Sequence, residues 1–305
     1  MDFLDAFLLV LTIAIVIFGG YLLWSDFFSE PIEYHGRAQY IEQKLEGSSL
    51  QFYSNMRFQD RHINYMISGA CDEERISSIK KAFEIIEQDT ILEFSESGQM
   101  SEMYVTCSDV SPNSENKRHF IAGEGGPTFI VNTSLYSLIF NGTIALYRSE
   151  KCDRPQIALH EIFHVLGFDH SSNQDSIMYP VTNCRQEIDN SIIEEINRLY
   201  EDEPLPDLAL SEAYATIRGR YLYFNISISN YGLLDSDNMT LNVKSIGNVI
   251  KQFPLGSLQV GRKKIFNAGN IRISKDAGEI EFEVIGNREE ISLENNKVIL
   301  SPSGN

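Results

Sequence analysis

Basic residues are scarce in this chain. Its 305 residues carry 25 Lys and Arg against 43 Asp and Glu, a formal net charge of −18. That shortage excludes a nucleic-acid partner, because affinity for a phosphate backbone rests on clustered cations that displace counterions. The acids are scattered and form no single block, which reads as a solvated surface. Cysteine is also rare: Cys71, Cys107, Cys152 and Cys184 are the only four, and none forms a C-x-x-C pair. A thiolate metal cluster or a dithiol redox motif is thereby excluded. No phosphate-cradling loop is present either. "GEGGP" at 123–127 lacks the glycine spacing and the following lysine of such a loop, and reads as a turn. Beyond residue 24 there is no second long apolar run, so the chain has at most one membrane span.

The first such run is distinctive. From Ala6 to Trp24, nineteen residues pass without a charge, close to the roughly 20 a helix needs to cross the hydrocarbon layer. Tyr21 and Trp24 close it, where amphipathic rings prefer the interface. A basic leader, a short apolar core and a small-residue cleavage site are all missing, which argues for a retained anchor over a cleaved signal. Arg37 and Lys44 follow the span and no Lys or Arg precedes it, a bias that taken alone points the C-terminal side to the cytoplasm. The even cysteine count points the other way. Pairing Cys71 with Cys107 and Cys152 with Cys184 would suit an oxidising exterior. Four N-glycosylation tripeptides, at Asn132, Asn141, Asn225 and Asn238, agree with it. The expectation is a single-pass membrane protein with its bulk outside the cell.

Four segments follow from pattern: an anchor at 1–25, a juxtamembrane stalk at 26–50 with a short helix at 36–45, a mixed domain at 51–202 and an all-strand domain at 203–305. Within the mixed domain, Ile63, Tyr65 and Ile67 alternate as a strand does. Ile76, Ile79, Ala82, Phe83 and Ile86 fall on one helical face. Acids open that helix and lysines follow. "EMYVTCS", "PTFIVN" and "TIALYRS" read as further strands, residues 155–166 as a helix and "QEIDNSIIEEINRLY" as a closing helix. The order gives an α+β domain. "EDEPLPDLAL" reads as a linker. After it, "YLYFNISIS", "MTLNVKSI", "EIEFEVIG" and "KVIL" keep a period of two between polar turns, the signature of an immunoglobulin-like β-sandwich.

"HEIFHVLGFDH", residues 160–170, holds three of the six histidines. On a helix, positions four apart share a face, so His160 and His164 can reach one metal ion. Glu161 stands beside them without pointing the same way, placed to polarise a water. Gly167 can take the left-handed conformation that side-chained residues resist, turning the chain so that His170 becomes a third ligand. Three histidines leave a position open, which marks a catalytic site and not a closed structural one. Eight residues on, Met178 precedes a turn in "SIMYP".

H-E-x-x-H-x-x-G-x-x-H followed by a Met-turn resembles the matrixin branch of the metzincin zinc endopeptidases. The flanks "FQDRHINYMIS" and "IKKAFEIIEQDTILEF" share the likeness, which covers residues 52–202. The resemblance implies a metzincin-like fold with a twisted mixed sheet, an active-site helix and a C-terminal helix. It also implies one catalytic Zn²⁺ on His160, His164 and His170, Glu161 as general base, and Met178 as an apolar floor. A strand upstream would pair with extended substrate, with "PTFIVN" as the candidate. Tyr179, Pro180 and Val181 would wall the pocket for the residue after the cut, pinned by a Cys152–Cys184 bridge. Two departures stand out. No cysteine precedes Cys71, so propeptide-cysteine latency is absent. His35, His62 and His119 lack the spacing of the family's structural zinc and read as ordinary histidines; calcium is left open. The C-terminal segments "LPDLAL", "ISISNYG" and "ENNKV" resemble CARDB-type modules of surface proteins, implying a cell-wall or surface partner, or a spacer.

These readings converge on a membrane-anchored zinc endopeptidase acting on extracellular peptides or proteins. The alternative is a surface adhesion protein with an idle metzincin domain. It is disfavoured because a binder has no use for Glu161.

Overall fold

The computed structural model of the chain describes residues 11–18, 32–36, 50–112, 121–149, 151–274 and 278–301. Residues 11–18 are helical and are labelled α1. The rest of the apolar run at 6–24 lies outside the described residues. Among the described residues no helix is long and apolar enough to cross a membrane. The chain divides into two compact units. One comprises residues 42–206 with 231–234, the other residues 1–41, 207–230 and 235–305.

The first unit is built on a six-stranded sheet. Strands β2 (Met56–Phe58), β3 (His62–Ile67), β4 (Glu93–Glu96), β5 (Met103–Cys107) and β7 (Ser137–Leu146) run parallel in the order β2-β7-β5-β3-β4, and β6 (Gly123–Asn132) pairs antiparallel with β7. Helix α2 (Glu73–Asp89) crosses between β3 and β4. The Asp72 side chain caps it by accepting the Arg75 N–H at 2.8 Å, satisfying one orphan donor of the first turn. Glu73 and Glu74 occupy that turn and Lys80 and Lys81 follow at mid-helix, with no basic residue in the last turn. Ile79, Ala82, Phe83 and Ile86 are buried, and Phe83 stacks on Tyr65 of β3 with centroids 4.2 Å apart. The core continues through Met103, Val105 and Ile144 to helix α3 (Gln156–Val165), while α4 (Asn190–Tyr200) closes the unit through Ile192, Ile196 and Leu199. A disulfide, Cys71–Cys107, ties the start of α2 to the end of β5.

"GEGGP" is not a turn. Gly123 to Pro127 are the first half of β6, in register with Leu146 to Gly142 of β7. Their glycines serve the packing of α3, as the site shows.

The second unit is a sandwich of two antiparallel four-stranded sheets. One sheet runs β1 (Ile32–Gly36), β8 (Leu208–Arg218), β9 (Tyr221–Asn230), β12 (Lys263–Arg272). The other runs β11 (Asn248–Leu258), β10 (Ser236–Ser245), β13 (Ile280–Ile285), β14 (Lys297–Leu300). Leu222, Phe224, Ile226 and Ile228 face Leu241, Val243, Phe282 and Val284 across one core, and Phe224 and Phe282 approach to 4.7 Å. Three expectations are corrected here. The linker "EDEPLPDLAL" ends inside β8, whose first residues Leu208 to Leu210 are buried. The stalk at 26–50 contains β1, which pairs Ile32 to Gly36 with Ile217 to Ala213. The short helix expected at 36–45 is replaced at Gly36 by the end of that strand, and its other residues lie outside the described ones.

Candidate metal centre and cleft

Helix α3 is buried along its whole length: Gln156 and every residue from Ala158 to Val165 is shielded from solvent. An apolar helix with three ionisable residues inside must satisfy each of them. His160 and His164 stand one turn apart, and their ring nitrogens have different jobs. The Nδ1 of His160 lies 2.6 Å from the Ile177 carbonyl oxygen, and that of His164 lies 2.8 Å from the Phe168 carbonyl oxygen. A carbonyl can only accept, so each Nδ1 carries the proton and each Nε2 presents a lone pair. Burial also holds both imidazoles neutral: it lowers His160 to about 4 and moves His164 in the same direction, against the opposing pull of those carbonyls.

The third histidine arrives through a sharp reversal. Gly167 has φ +97°, in the region that favours glycine, and a Cβ there would stand 2.7 Å from Cγ of Met56. Residues 50–52 strap the reversal, with Phe52 N–H donating to the Gly167 carbonyl at 3.0 Å and Asp169 N–H to the Leu50 carbonyl at 2.9 Å. His170 then returns, exposed. Its Nε2 lies 3.2 Å from that of His164, which lies 3.0 Å from that of His160. One ligand atom from each of the three falls within a 4.8 Å set, the one such group of three among the described residues. Three convergent lone pairs repel one another unless a cation joins them. Nitrogens bound tetrahedrally at zinc distances stand about 3.3 Å apart, so the donor set fits zinc.

Met178 is buried, and its N–H donates to Ser176 Oγ at 3.0 Å. Its neighbour Ile177 supplies the carbonyl that orients His160. The Ser171 N–H donates to the Met178 carbonyl at 2.8 Å, closing the loop that follows His170.

Glu161 lies against β6. A Cβ on Gly125 would lie 2.2 Å from the Glu161 carbonyl oxygen, and one on Gly123 would lie 2.7 Å from Glu161 Cγ. Only bare backbone lets strand and helix approach this closely. Burial raises the Glu161 carboxyl to about 8, Glu124 adds repulsion, and a hydrogen bond from the Gly125 backbone opposes both. Glu124 is itself fixed, accepting the Tyr147 hydroxyl at 2.7 Å. That contact, with burial behind it, pushes the phenol up to about 12.

These groups line one cleft of about 950 Å³, whose walls include Gly123, Gly125, the three histidines and Pro180 to Cys184. Pro180 and Val181 therefore stand where a pocket wall is expected, whereas Tyr179 is not on the lining. The cleft-facing part of β6 is Gly123 to Gly125, not the expected "PTFIVN". The Cys152–Cys184 disulfide joins the wall to the segment before α3. Gln186 organises the wall from behind, its Nε2 donating to the Val181 carbonyl at 3.0 Å and its Oε1 accepting the Asn183 N–H at 2.9 Å. Of the remaining histidines, His62 is exposed between Asp60 and Glu93. His119 lies outside the described residues, as does the side chain of His35. Sequence reasoning missed Glu124, Gly125 and Gln186. The first two gave no local signal of their own, since glycines around an acid read as a turn as readily as a close approach.

The family model described as matrixin matches residues 57–201, a match that supports a metalloprotease. Over 55 residues, 17% of this chain, the sequence is 44% identical to Metalloendoproteinase 2-MMP of Arabidopsis thaliana, and the chain covers 15% of that protein's length. Among solved structures, High choriolytic enzyme 1, a hatching-enzyme zinc-protease of Oryzias latipes (medaka), is 16% identical over 52% of this chain and 94% of its own, with a TM-score of 0.30. A CARDB domain from Pyrococcus furiosus, solved in complex with di-metal ions, is 14% identical over 32% of this chain and 88% of its own, with a TM-score of 0.26.

Proposed function

We propose that the matrixin-type domain, within residues 51–202, is a zinc-dependent endopeptidase in which His160, His164 and His170 hold the one ion and Glu161 is the general base. The observation that carries this reading is the convergence of three Nε2 atoms with Glu161 in the same cleft. When bound, zinc supplies Lewis-acid polarisation of a carbonyl and acidifies a water. The protein's own groups do the rest. The Nδ1–H bonds to Ile177 and Phe168 fix two rings in the tautomer that ligation needs. A substrate strand lies along the outer edge of β6, pairing through main-chain groups. Water attacks the scissile carbonyl, a carboxylate oxygen of Glu161 takes its proton, and the same oxygen delivers that proton to the leaving amine. The Gly125 N–H steadies the carboxylate through the exchange. Met178 and Gly167 shape the site without touching substrate, and Pro180 and Val181 bound the pocket beyond the cut.

The setting belongs to the same proposal. The two disulfides support an oxidising compartment, and the uncharged run at 6–24 supports an N-terminal anchor. The catalytic unit would then work outside the cell on peptides or proteins, with the sandwich at 203–305 as spacer or surface-binding module.

Metal analysis of purified full-length protein, with cleavage of a mixed peptide library, tests the reading. One zinc per chain and endoproteolysis are expected, and Glu161→Gln should lower kcat/KM by about 10²–10⁴-fold while zinc is retained. Zinc-loaded protein that cuts no peptide would end it.

A further inference from the structure

Resting on the zinc peptidase reading, we infer that Gln51 is a positioning residue for the metal centre. Through Met56 and the strap at 50–52 it holds residues 167–170, the segment that sets two of the three ligands, His164 and His170. It thereby governs how tightly the ion is kept.

The strap crosses residues 167–169 as a short antiparallel pair, with Gln51 opposite Phe168. Its two bonds, Asp169 N–H to the Leu50 carbonyl and Phe52 N–H to the Gly167 carbonyl, stand on either side of Phe168. The Phe168 carbonyl is the group that takes the Nδ1–H of His164. Asp169 leads straight into His170 and accepts its N–H through Oδ1 at 2.7 Å. His160 is oriented independently, by the Ile177 carbonyl. Phe52 adds a contact of its own: its ring stacks on the His164 imidazole, with centroids 5.7 Å apart and planes 24° from parallel.

A pair held by two bonds is marginal without support, and Gln51 supplies it. Its side chain is buried. Its Oε1 accepts the Met56 N–H at 3.0 Å and its Nε2 donates to the Met56 carbonyl at 2.7 Å. One amide thus engages both main-chain groups of Met56, as a neighbouring strand would. Met56 opens β2, and its side chain lies under the reversal: a Cβ on Gly167 would stand 2.7 Å from its Cγ and 2.8 Å from its Sδ. The circuit closes from the Gln51 amide to the Met56 backbone, from the Met56 side chain to Gly167, and from the Gly167 carbonyl to Phe52. Glutamine suits it specifically. Asparagine is one methylene shorter, and an ionised glutamate has no donor for the Met56 carbonyl.

The test measures zinc affinity of the full-length protein by competition with a chromophoric chelator, beside denaturant melts of the zinc-stripped protein. Gln51→Met keeps the volume and removes both bonds, Gln51→Glu keeps only the acceptor, and Phe52→Ala removes the ring but not the N–H. Ile79→Val, in the buried face of α2, controls for lost stability alone. Zinc affinity should fall by about 10–100-fold in Gln51→Met, as for other groups that orient metal ligands. It should fall less in Gln51→Glu and Phe52→Ala, and stay at the wild-type value in Ile79→Val. With cobalt in place of zinc, the visible ligand-field bands of folded Gln51→Met should differ from wild type, which a purely structural role would not produce. A lowered melt with wild-type zinc affinity and a wild-type cobalt spectrum overturns the positioning role and leaves the peptidase standing. Should Gln51→Met not fold, weakened zinc binding in Gln51→Glu or Phe52→Ala supports the role, and wild-type affinity in both overturns it. Wild-type protein that binds no zinc overturns both the role and the peptidase.

Discussion

Glu161, the proposed general base, is a buried carboxyl. Without metal, burial holds it up to about 8, so folding favours its protonated form. Its contribution to stability is complete below the ordinary carboxyl range and is lost as pH rises through about 8. His160 and His164 titrate with the opposite sign. Their depressed values give stability that is present above the ordinary histidine range and is lost as pH falls, through about 4 for His160. Above pH 7 the histidine contribution is constant and Glu161 alone among these three changes. Zinc-stripped protein should therefore lose stability between pH 7 and 9 in denaturant melts. Glu161→Gln should flatten that loss, and an unchanged slope in the variant would refute the assignment. Gly125 sets the same carboxyl from the other side. Gly125→Ala drives a methyl against a backbone oxygen that cannot swing away, with an expected cost of about 1–3 kcal/mol and a fall in kcat. Gly126→Ala meets nothing within 4 Å, so it should leave the melt unchanged. The histidine motif was legible because its offsets are those of one helix and one turn, set by local geometry. Glu124 and Gly125 were not, because their role comes from a strand packed on that helix from more than thirty residues away.

At the scale of elements, the active-site helix has its shape from its own sequence and its function from what encloses it. The wall after Met178 has no regular secondary structure. It is held by Gln186, by the Ser176–Asp189 side-chain contact and by the Cys152–Cys184 bridge. A bridge closing a loop of 32 residues limits the unfolded chain by an amount worth about 4 kcal/mol in the chain-entropy account. Cys152→Ser with Cys184→Ser should cost up to that much in chemical denaturation. It should also raise KM more than it lowers kcat, because the wall would hold substrate while His160, Glu161 and His164 stay on α3. A pure kcat effect would place the bridge in the catalytic step instead. Helix α2 could be read from periodicity because it buries one face, whereas α3, buried nearly all round, was marked by the spacing of its histidines. Strands β11 and β12 could not. They are edge strands in which Pro254, Gly256 and Gly269 interrupt the alternation, and an edge tolerates such residues because one side of its ladder is unpaired. The same glycine and proline signals made "GEGGP" read as a turn. Composition cannot distinguish a glycine that bends the chain from one that lets a neighbour in.

For the whole molecule, the order of units along the chain differs from the order of folding elements. The sandwich takes its edge strand β1 from residues 32–36, ahead of the entire catalytic unit, and its other strands from beyond residue 206. No local pattern announces such a pairing, because the two strands are separated by about 170 residues and β1 is only five long. The consequence is testable by thermal unfolding. On the proposed reading zinc is held by the histidines of the unit at 42–206, so adding zinc after chelation should raise that unit's transition by mass action and leave the sandwich transition in place. Removing residues 1–36 should do the reverse: it exposes the edge of β8, lowers the sandwich transition and leaves the zinc-responsive one and the cleavage rate unchanged. Replacing Ile32 to Gly36 by an unrelated polar segment of equal length separates loss of the strand from loss of the N-terminus, and it should reproduce the effect. If both changes leave the sandwich transition where it was, β1 contributes nothing to that unit, and the catalytic domain follows an ordinary stalk.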